Sequence, residues 1–80
     1  MAKITALFFS YAADRMNDRS REFQVEDGTT IEELFHKELA QQLAEPIGTF
    51  MFSVNADWAD RSYPLHHGDE LAVIPPVSGG

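Results

Sequence analysis

The residues with the clearest chemical potential are the last six, Pro75-Pro76-Val77-Ser78-Gly79-Gly80. Proline has no backbone N–H and favours an extended path, so we expect strand pairing to stop at residues 75 and 76. Glycine has no Cβ, which lets a backbone enter a narrow channel and approach reactive groups closely. The pattern therefore predicts a flexible thread, residues 76–80, that presents the carboxylate of Gly80.

The carboxylate predicted at Gly80 defines what chemistry the thread can do. An α-carboxyl group has a pKa of about 3.3–3.7, so this group is ionised at neutral pH. An ionised carboxylate is a poor acyl electrophile and must be activated by another protein, most simply as an acyl-adenylate formed from ATP. The activated carbonyl can then accept sulfur, giving a thiocarboxylate, or be transferred to an amine. A Gly-Gly end alone is weak evidence, because frayed glycine-ended termini are common.

The elements that must position the thread are predicted from periodicity. Strand-like composition or alternation of polar and apolar residues occurs at residues 4–9, 21–26, 50–54 and 70–74, with a short extra strand around Trp58. Residues 11–20 are polar and mixed, which indicates a loop with a short helical turn.

One helix is predicted with a defined start. Thr30 followed by Glu33 is the signature of a capping box. An apolar stripe at helical spacing follows it, formed by Ile31, Leu34, Phe35, Leu39 and Leu43. Pro46 and Gly48 are expected to end this helix.

The order of these elements predicts an α+β fold, the β-grasp or ubiquitin-like fold. Two strands precede one capped helix, and further strands follow it, so the helix stripe would pack on one face of a mixed sheet. We expect residues 1–75 to form this single domain and residues 76–80 to form the tail.

Composition excludes several classes of protein. The chain has 80 residues, no cysteine and a formal net charge of −7. The lack of cysteine excludes disulfides, thiolate metal sites and a cysteine nucleophile. The negative charge argues against nucleic-acid binding, and the sequence has no apolar run long enough for a membrane span. We therefore expect a cytoplasmic protein that binds no metal, nucleic acid or membrane.

The sequence resembles the MoaD family, the ubiquitin-like sulfur-carrier small subunits of molybdopterin synthase. The resemblance covers most of the chain and rests on four features: Leu7-Phe8-Phe9, the capped helix from Thr30, the pair Val54-Asn55, and Gly68-Asp69-Glu70-Leu71 through Pro75-Pro76-Val77-Ser78-Gly79-Gly80. The final stretch is the most specific, whereas residues 11–21 are shorter than the family leads us to expect.

The resemblance implies a reaction sequence carried out by partners. An E1-like enzyme would use Mg-ATP to adenylate Gly80, and a sulfur donor protein would convert it to a thiocarboxylate. The tail, Pro75 to Gly79, would thread into the active site of a large synthase subunit, where precursor Z becomes molybdopterin. The implied assembly has two small and two large subunits. The chain itself would then be non-catalytic and would hold no cofactor.

A docking surface is predicted from strand alternation. Phe9 and Leu7 share one side of the first strand with Lys3, and Ile74 shares one side of the last strand with Glu70. Because Lys3 and Glu70 should face water, we expect Phe9, Leu7 and Ile74 to form an outward apolar patch beside the tail. Trp58 is a candidate member, since tryptophan is enriched at binding hot spots. The competing interpretation is that these side chains belong to the core.

Other functions remain open on sequence grounds. The chain is also compatible with a sulfur carrier for thiamine or tRNA thiolation, a protein modifier conjugated through Gly80, or a binding module with an inert tail. The histidines His36, His66 and His67 are expected to be solvent-exposed rather than metal ligands. Asp57 and Asp60, near Trp58, are expected either to be loop polar groups or to steer the domain to a basic partner.

Overall fold

One mixed sheet forms the framework of the protein in the computed structural model, which describes residues 1–76. Within that range the sheet has five strands in the order β2-β1-β5-β3-β4. They are β1 (Ala2–Phe8), β2 (Ser20–Val25), β3 (Met51–Val54), β4 (Asp57–Ala59) and β5 (Glu70–Ile74). The four main predicted strands and the short strand at Trp58 are therefore confirmed.

The centre of the sheet is the parallel pair β1 and β5, and the other neighbours are antiparallel. Parallel strands point the same way, so the ends of β1 and β5 meet at one edge, with Phe8 opposite Val73. The Phe9 N–H extends the pairing by donating to the Val73 carbonyl (3.2 Å). The strand β5 ends before Pro75, as the missing proline N–H predicts.

The segment after β1 contains the short helical turn that the sequence indicated, in the form of a six-residue helix. Helix α1 spans Tyr11–Met16, and Ala12 and Met16, four residues apart, are fully buried on one side of it. Arg15 fastens α1 to the rest of the domain, because its Nη1 donates to the Leu43 carbonyl (2.6 Å) and pairs with Glu45. Partial burial and the hydrogen bond to Glu45 raise the pKa of Tyr11 above its ordinary value.

The main helix begins as predicted, and its middle turn is π-helical rather than α-helical. The capping box of Thr30 and Glu33 is present at the start of α2 (Ile31–Leu34), a π-helical turn follows over Phe35–Leu39, and α3 covers Ala40–Leu43. Apolar residues four apart drift around an ideal α-helix, because its repeat is 3.6 residues. The wider π turn offsets that drift, so Phe35, Leu39 and Leu43 all remain buried.

The helix ends earlier than predicted. Its last residue is Leu43, and Ala44 takes a left-handed conformation (φ 58°) that closes it. Pro46 instead precedes a short 3₁₀ turn, Ile47–Thr49, because its fixed φ suits the position before a new turn. Pro46 and Gly48 therefore lie beyond the helix, in the connection to β3.

The core lies between the helix and one face of the sheet. Each of the strands β1, β3 and β5 contributes inward side chains to it, and the helices contribute the apolar stripe. The largest fully buried side chains are Phe35, Ile4, Met16, Ile31, Leu34, Leu39, Leu43, Leu65, Leu71 and Val73. No helix within residues 1–76 is both long and apolar enough to cross a bilayer.

The turn between β3 and β4 places a non-glycine residue in a conformation that affects stability. Asn55 and Ala56 both have positive φ (52° and 73°), as a type I′ hairpin turn requires. Alanine pays a steric cost there that glycine avoids, so Ala56→Gly should raise the free energy of unfolding by about 1 kcal/mol. Urea denaturation checks this value. The matched change Ala59→Gly, in strand β4, should lower it; a similar loss in both variants would contradict this turn geometry.

Candidate functional site

The sheet face turned away from the helix carries the site. The register places Leu7, Ala72, Ser53 and Trp58 opposite one another on four neighbouring strands. Directly opposed residues of a sheet point to the same face. Because the alternate residues Ala6, Phe8, Leu71 and Val73 are buried in the core, this row faces outward.

A second outward row lies one step closer to the edge where β1 and β5 end. Met51 is opposite Ile74 in this row, and Phe9 lies beside Ile74 at the end of β1. Three of the large side chains in the two rows are exposed: Phe9 (47%), Met51 (55%) and Trp58 (68%). We call this surface the outward patch, defined as Leu7, Phe9, Met51, Trp58 and Ile74, together with the nearly covered Ala72 (8% exposed) in the row of Leu7.

The predicted patch residues can now be placed. Leu7, Phe9 and Ile74 lie outward as the alternation predicted, and the register brings Trp58 into the same surface. Their role as interface residues stays a prediction. Sequence reasoning missed Met51, because three consecutive apolar residues, Phe50-Met51-Phe52, obscure the alternation, although the polar Ser53 marks the same side of β3. The usable signal was its alternation with Phe52 and Val54, which are buried.

The predicted tail begins at the edge that carries the outward patch. Pro75 is buried and Pro76 is exposed, both directly after Ile74. The predicted tail residues Val77, Ser78, Gly79 and Gly80 lie outside the described residues. The described chain therefore leads toward them from the position beside Phe9 and Met51.

Two shallow grooves flank the outward patch. One, about 430 Å³, lies at the Met51 and Trp58 end and is lined mainly by Ile47, Gly48, Phe50, Met51, Trp58 and Arg61. The other, about 500 Å³, lies at the Phe9 end and is lined by Leu7, Phe8, Phe9, Ser10, Ala13, Asp14 and Arg19. Apolar depressions beside exposed aromatic residues can receive side chains of a partner.

Asp60 places a fixed negative charge near Trp58. Its side chain accepts hydrogen bonds from the hydroxyl and the backbone N–H of Ser62. These two hydrogen bonds hold the pKa of Asp60 below its ordinary value, with the hydroxyl contributing most. The carboxylate is therefore ionised at neutral pH at the rim of the first groove.

A buried polar clamp fixes strand β5 against the β3–β4 hairpin. Asp69 is 8% exposed, and its carboxylate accepts from Asn55 Nδ2 (2.9 Å) and from the His66 backbone N–H (2.8 Å). Asn55 also makes two hydrogen bonds with the backbone of Glu70. Its Oδ1 accepts from the Glu70 N–H (3.0 Å), and its own N–H donates to the Glu70 carbonyl (2.9 Å). These contacts hold Trp58, on the hairpin, in register with the strand that leads to the tail.

Disruption of the clamp should lower the stability of the fold. In Asp69→Asn an NH₂ group replaces one carboxylate oxygen. It then faces either Asn55 Nδ2 or the His66 N–H, and that donor is left without an acceptor. We expect the free energy of unfolding to fall by about 2 kcal/mol. Asp57→Asn is the control on exposed strand β4 and should change it by less than about 0.5 kcal/mol. Equal effects of the two changes in thermal or urea unfolding would contradict the clamp.

The histidines are placed as exposed side chains in the part of the chain that the structure covers. His67 Nδ1 accepts the Lys3 N–H (3.0 Å) and so extends the edge of the sheet. Between residues 1 and 76, no group of three acidic or histidine side chains is arranged to hold a metal ion.

Comparison with known proteins now identifies the family. A model of the ThiS family matches residues 7–80. The curated "Molybdopterin synthase sulfur carrier subunit" of Chlamydomonas reinhardtii is 29% identical over 82 residues, which cover 98% of this chain and 99% of that protein. This relative confirms the resemblance to molybdopterin synthase small subunits that the sequence indicated.

Two solved structures show the same fold. SAMP1 from Haloferax volcanii matches with a TM-score of 0.83 and 22% identity, covering 99% of this chain and 100% of that one. A chain in the complex of subunits 1 and 2 of molybdopterin-converting factor from Helicobacter pylori 26695 matches with a TM-score of 0.65 and 24% identity, covering 98% and 99%. These structures confirm the predicted β-grasp fold. Because the family model extends from strand β1 to Gly80, this ubiquitin-like protein belongs to the ThiS family.

Proposed function

We propose that this protein is the sulfur-carrier small subunit of a molybdopterin synthase and acts in the cytoplasm. The observation that carries the proposal is the outward patch, an exposed apolar surface at the sheet edge where β5 leads toward Gly79 and Gly80. The name of the Chlamydomonas reinhardtii relative, aligned over almost the full length of both chains, supports the same function.

Sulfur is carried in this proposal as a thiocarboxylate of Gly80. A carboxylate oxygen of Gly80 attacks the α-phosphorus of Mg-ATP on an E1-like enzyme, and pyrophosphate leaves. Sulfur at the oxidation level of sulfide, delivered by a sulfur donor protein, then attacks the carbonyl carbon, and AMP leaves. The chain holds no metal or cofactor of its own, because the magnesium and the nucleotide belong to the activating enzyme.

The large synthase subunit uses the charged carrier. It docks on the outward patch, in an assembly of two small and two large subunits, and the tail from Pro76 to Gly80 enters its active site, while the buried Pro75 stays with the domain. The thiocarboxylate sulfur forms a bond to a carbon of precursor Z as a C–O bond at that carbon breaks. Water then cleaves the C–S bond to Gly80, and the Gly80 carboxylate is regenerated. Catalytic side chains are supplied by the large subunit, so the small subunit is not an enzyme alone. The H. pylori complex of subunits 1 and 2 supports such a partner.

A reconstitution tests the proposed function. The thiocarboxylated protein is mixed with the large subunit from the same organism and precursor Z, and molybdopterin is measured over a single turnover. We expect one sulfur to be transferred for each carrier molecule. If an active large subunit gives no molybdopterin and sulfur is instead delivered to a thiazole precursor or tRNA, the protein belongs to another sulfur carrier pathway. Isopeptide bonds to lysines in cells would instead indicate a protein modifier.

A further inference from the structure

The outward face extends beyond the outward patch to a pair of carboxylates. Thr5 in β1 is opposite Glu22 in β2 and opposite Glu70 in β5. The three residues therefore form one outward row, and both glutamates are exposed. Neighbouring strands lie about 4.8 Å apart, so the two glutamate Cα atoms are roughly 10 Å apart with Thr5 between them.

The side chains of Glu22 and Glu70 are among eight acidic side chains that the fold leaves unengaged within residues 1–76. The position of both on the outward face, in one row with Thr5, sets this pair apart. Five other carboxylates bond within the chain: Asp18, Glu33, Glu45, Asp60 and Asp69. Across residues 1–76, the side chains of Glu22 and Glu70 form no hydrogen bond and no salt bridge. Lys3 lies on the same face one row further from the tail, and it makes no ion pair with either glutamate in that range.

The pair is continuous with the outward patch. The next row toward the tail contains Leu7 and Ala72, and the row after it contains Ile74. Strands rise about 3.3 Å per residue, so Glu70 and Ile74 are roughly 13 Å apart along β5. One face thus presents an apolar area close to the tail and a double negative charge about four residues away from it.

We propose, on the basis of the proposed function, that Glu22 and Glu70 form the electrostatic half of the surface that receives the large synthase subunit. The partner then presents an arginine or lysine that lies over Thr5 between the two carboxylates, while its apolar surface covers the outward patch. Contact at the patch lies close to the tail and limits rotation of the domain over only a short distance. A second contact roughly 13 Å away fixes the rotation and aims the tail at the active site.

Complementary charges at the rim of an interface act mainly on the rate of association. The Debye length is about 8–10 Å at physiological salt, so this steering weakens as salt is added. The double variant Glu22→Gln/Glu70→Gln should therefore associate with the large subunit roughly 3- to 10-fold more slowly at low salt. Its dissociation rate should change by less than about 2-fold, and its association rate should equal that of the wild type at high salt.

Stopped-flow measurement of binding between the full chain and the large subunit, across a salt series, tests the proposal. The matched control is Glu32→Gln/Glu38→Gln, which removes the same charge from the helix on the other side of the sheet. Glu22→Gln/Glu70→Gln must lose salt dependence that the control retains; equal slopes in the two variants would overturn the proposal. A wild-type chain that does not bind the large subunit at all would instead refute the proposed function, and this inference with it.

Discussion

A chain that lacks Gly79 and Gly80 is expected to fold normally and to lose sulfur transfer completely. The described core is complete at Pro75, so removal of the two glycines takes away no buried side chain. The deletion, however, removes the Gly80 carbonyl on which the partner enzymes act. Misplacement of a reacting group by about 1 Å already costs roughly 100-fold, and this deletion shortens the chain by two residues. Molybdopterin formed per carrier in the reconstituted reaction measures the loss.

The controls for this deletion distinguish loss of the reacting group from loss of folding. Its melting temperature should equal that of the wild type, and it should still compete with the full chain for the large subunit through the outward patch. Addition of one alanine after Gly80 should also abolish transfer, because the activated carboxylate would then belong to another residue. Retention of sulfur transfer by either variant would contradict the role of Gly80.

The second large effect is expected from Phe9→Asp. Phe9 is 47% exposed at the end of the outward patch closest to the tail, and a buried aromatic anchor contributes about 2–4 kcal/mol to an interface. The substitution puts an uncompensated carboxylate into that contact, so affinity for the large subunit should fall roughly 30- to 1000-fold. Trp58→Ala should weaken binding in the same direction. Titration calorimetry with the purified large subunit gives both affinities.

Lys37→Asp provides the control for surface charge, since Lys37 is exposed on the π-helical turn, away from the outward face. This variant should bind the large subunit with an affinity close to that of the wild type. If Phe9→Asp keeps wild-type affinity and activity, the outward patch is not the docking surface. If both variants lose binding equally, the loss reflects net charge rather than the patch.

The strands and the start of the helix were predictable because their signals are local. The alternation in β1 and β5 follows directly from the period of two residues along a strand, and the predicted span 70–74 is the observed β5. The pair Thr30 and Glu33 similarly contains the complete capping box. In these segments local preference and tertiary packing agree, so the sequence alone was sufficient.

Other features depend on contacts between distant parts of the chain. Whether Trp58 joins Leu7 in one surface depends on the register of three strand pairs, which composition does not specify. The hydrogen bond from Asn55 to Asp69 spans 14 residues, and no local pattern marks it. The π turn keeps Phe35, Leu39 and Leu43 buried on one side of the helix, a requirement that only the packed structure imposes.

The most direct test of the central claim is an accurate mass measurement of the untagged chain after incubation with the E1-like enzyme, Mg-ATP and the sulfur donor. Replacement of oxygen by sulfur nearly equals the mass gained by methionine oxidation, and the chain has three methionines, so the extra mass must be located by fragmentation. The chain has no cysteine, which leaves a thiocarboxylate as the group expected to react with a thiol-directed alkylating reagent. We predict that both the sulfur mass and the alkylation map to Gly80. A chain that a competent cognate enzyme leaves unchanged at Gly80, or adenylates without sulfur being gained, would contradict the assignment as a sulfur carrier.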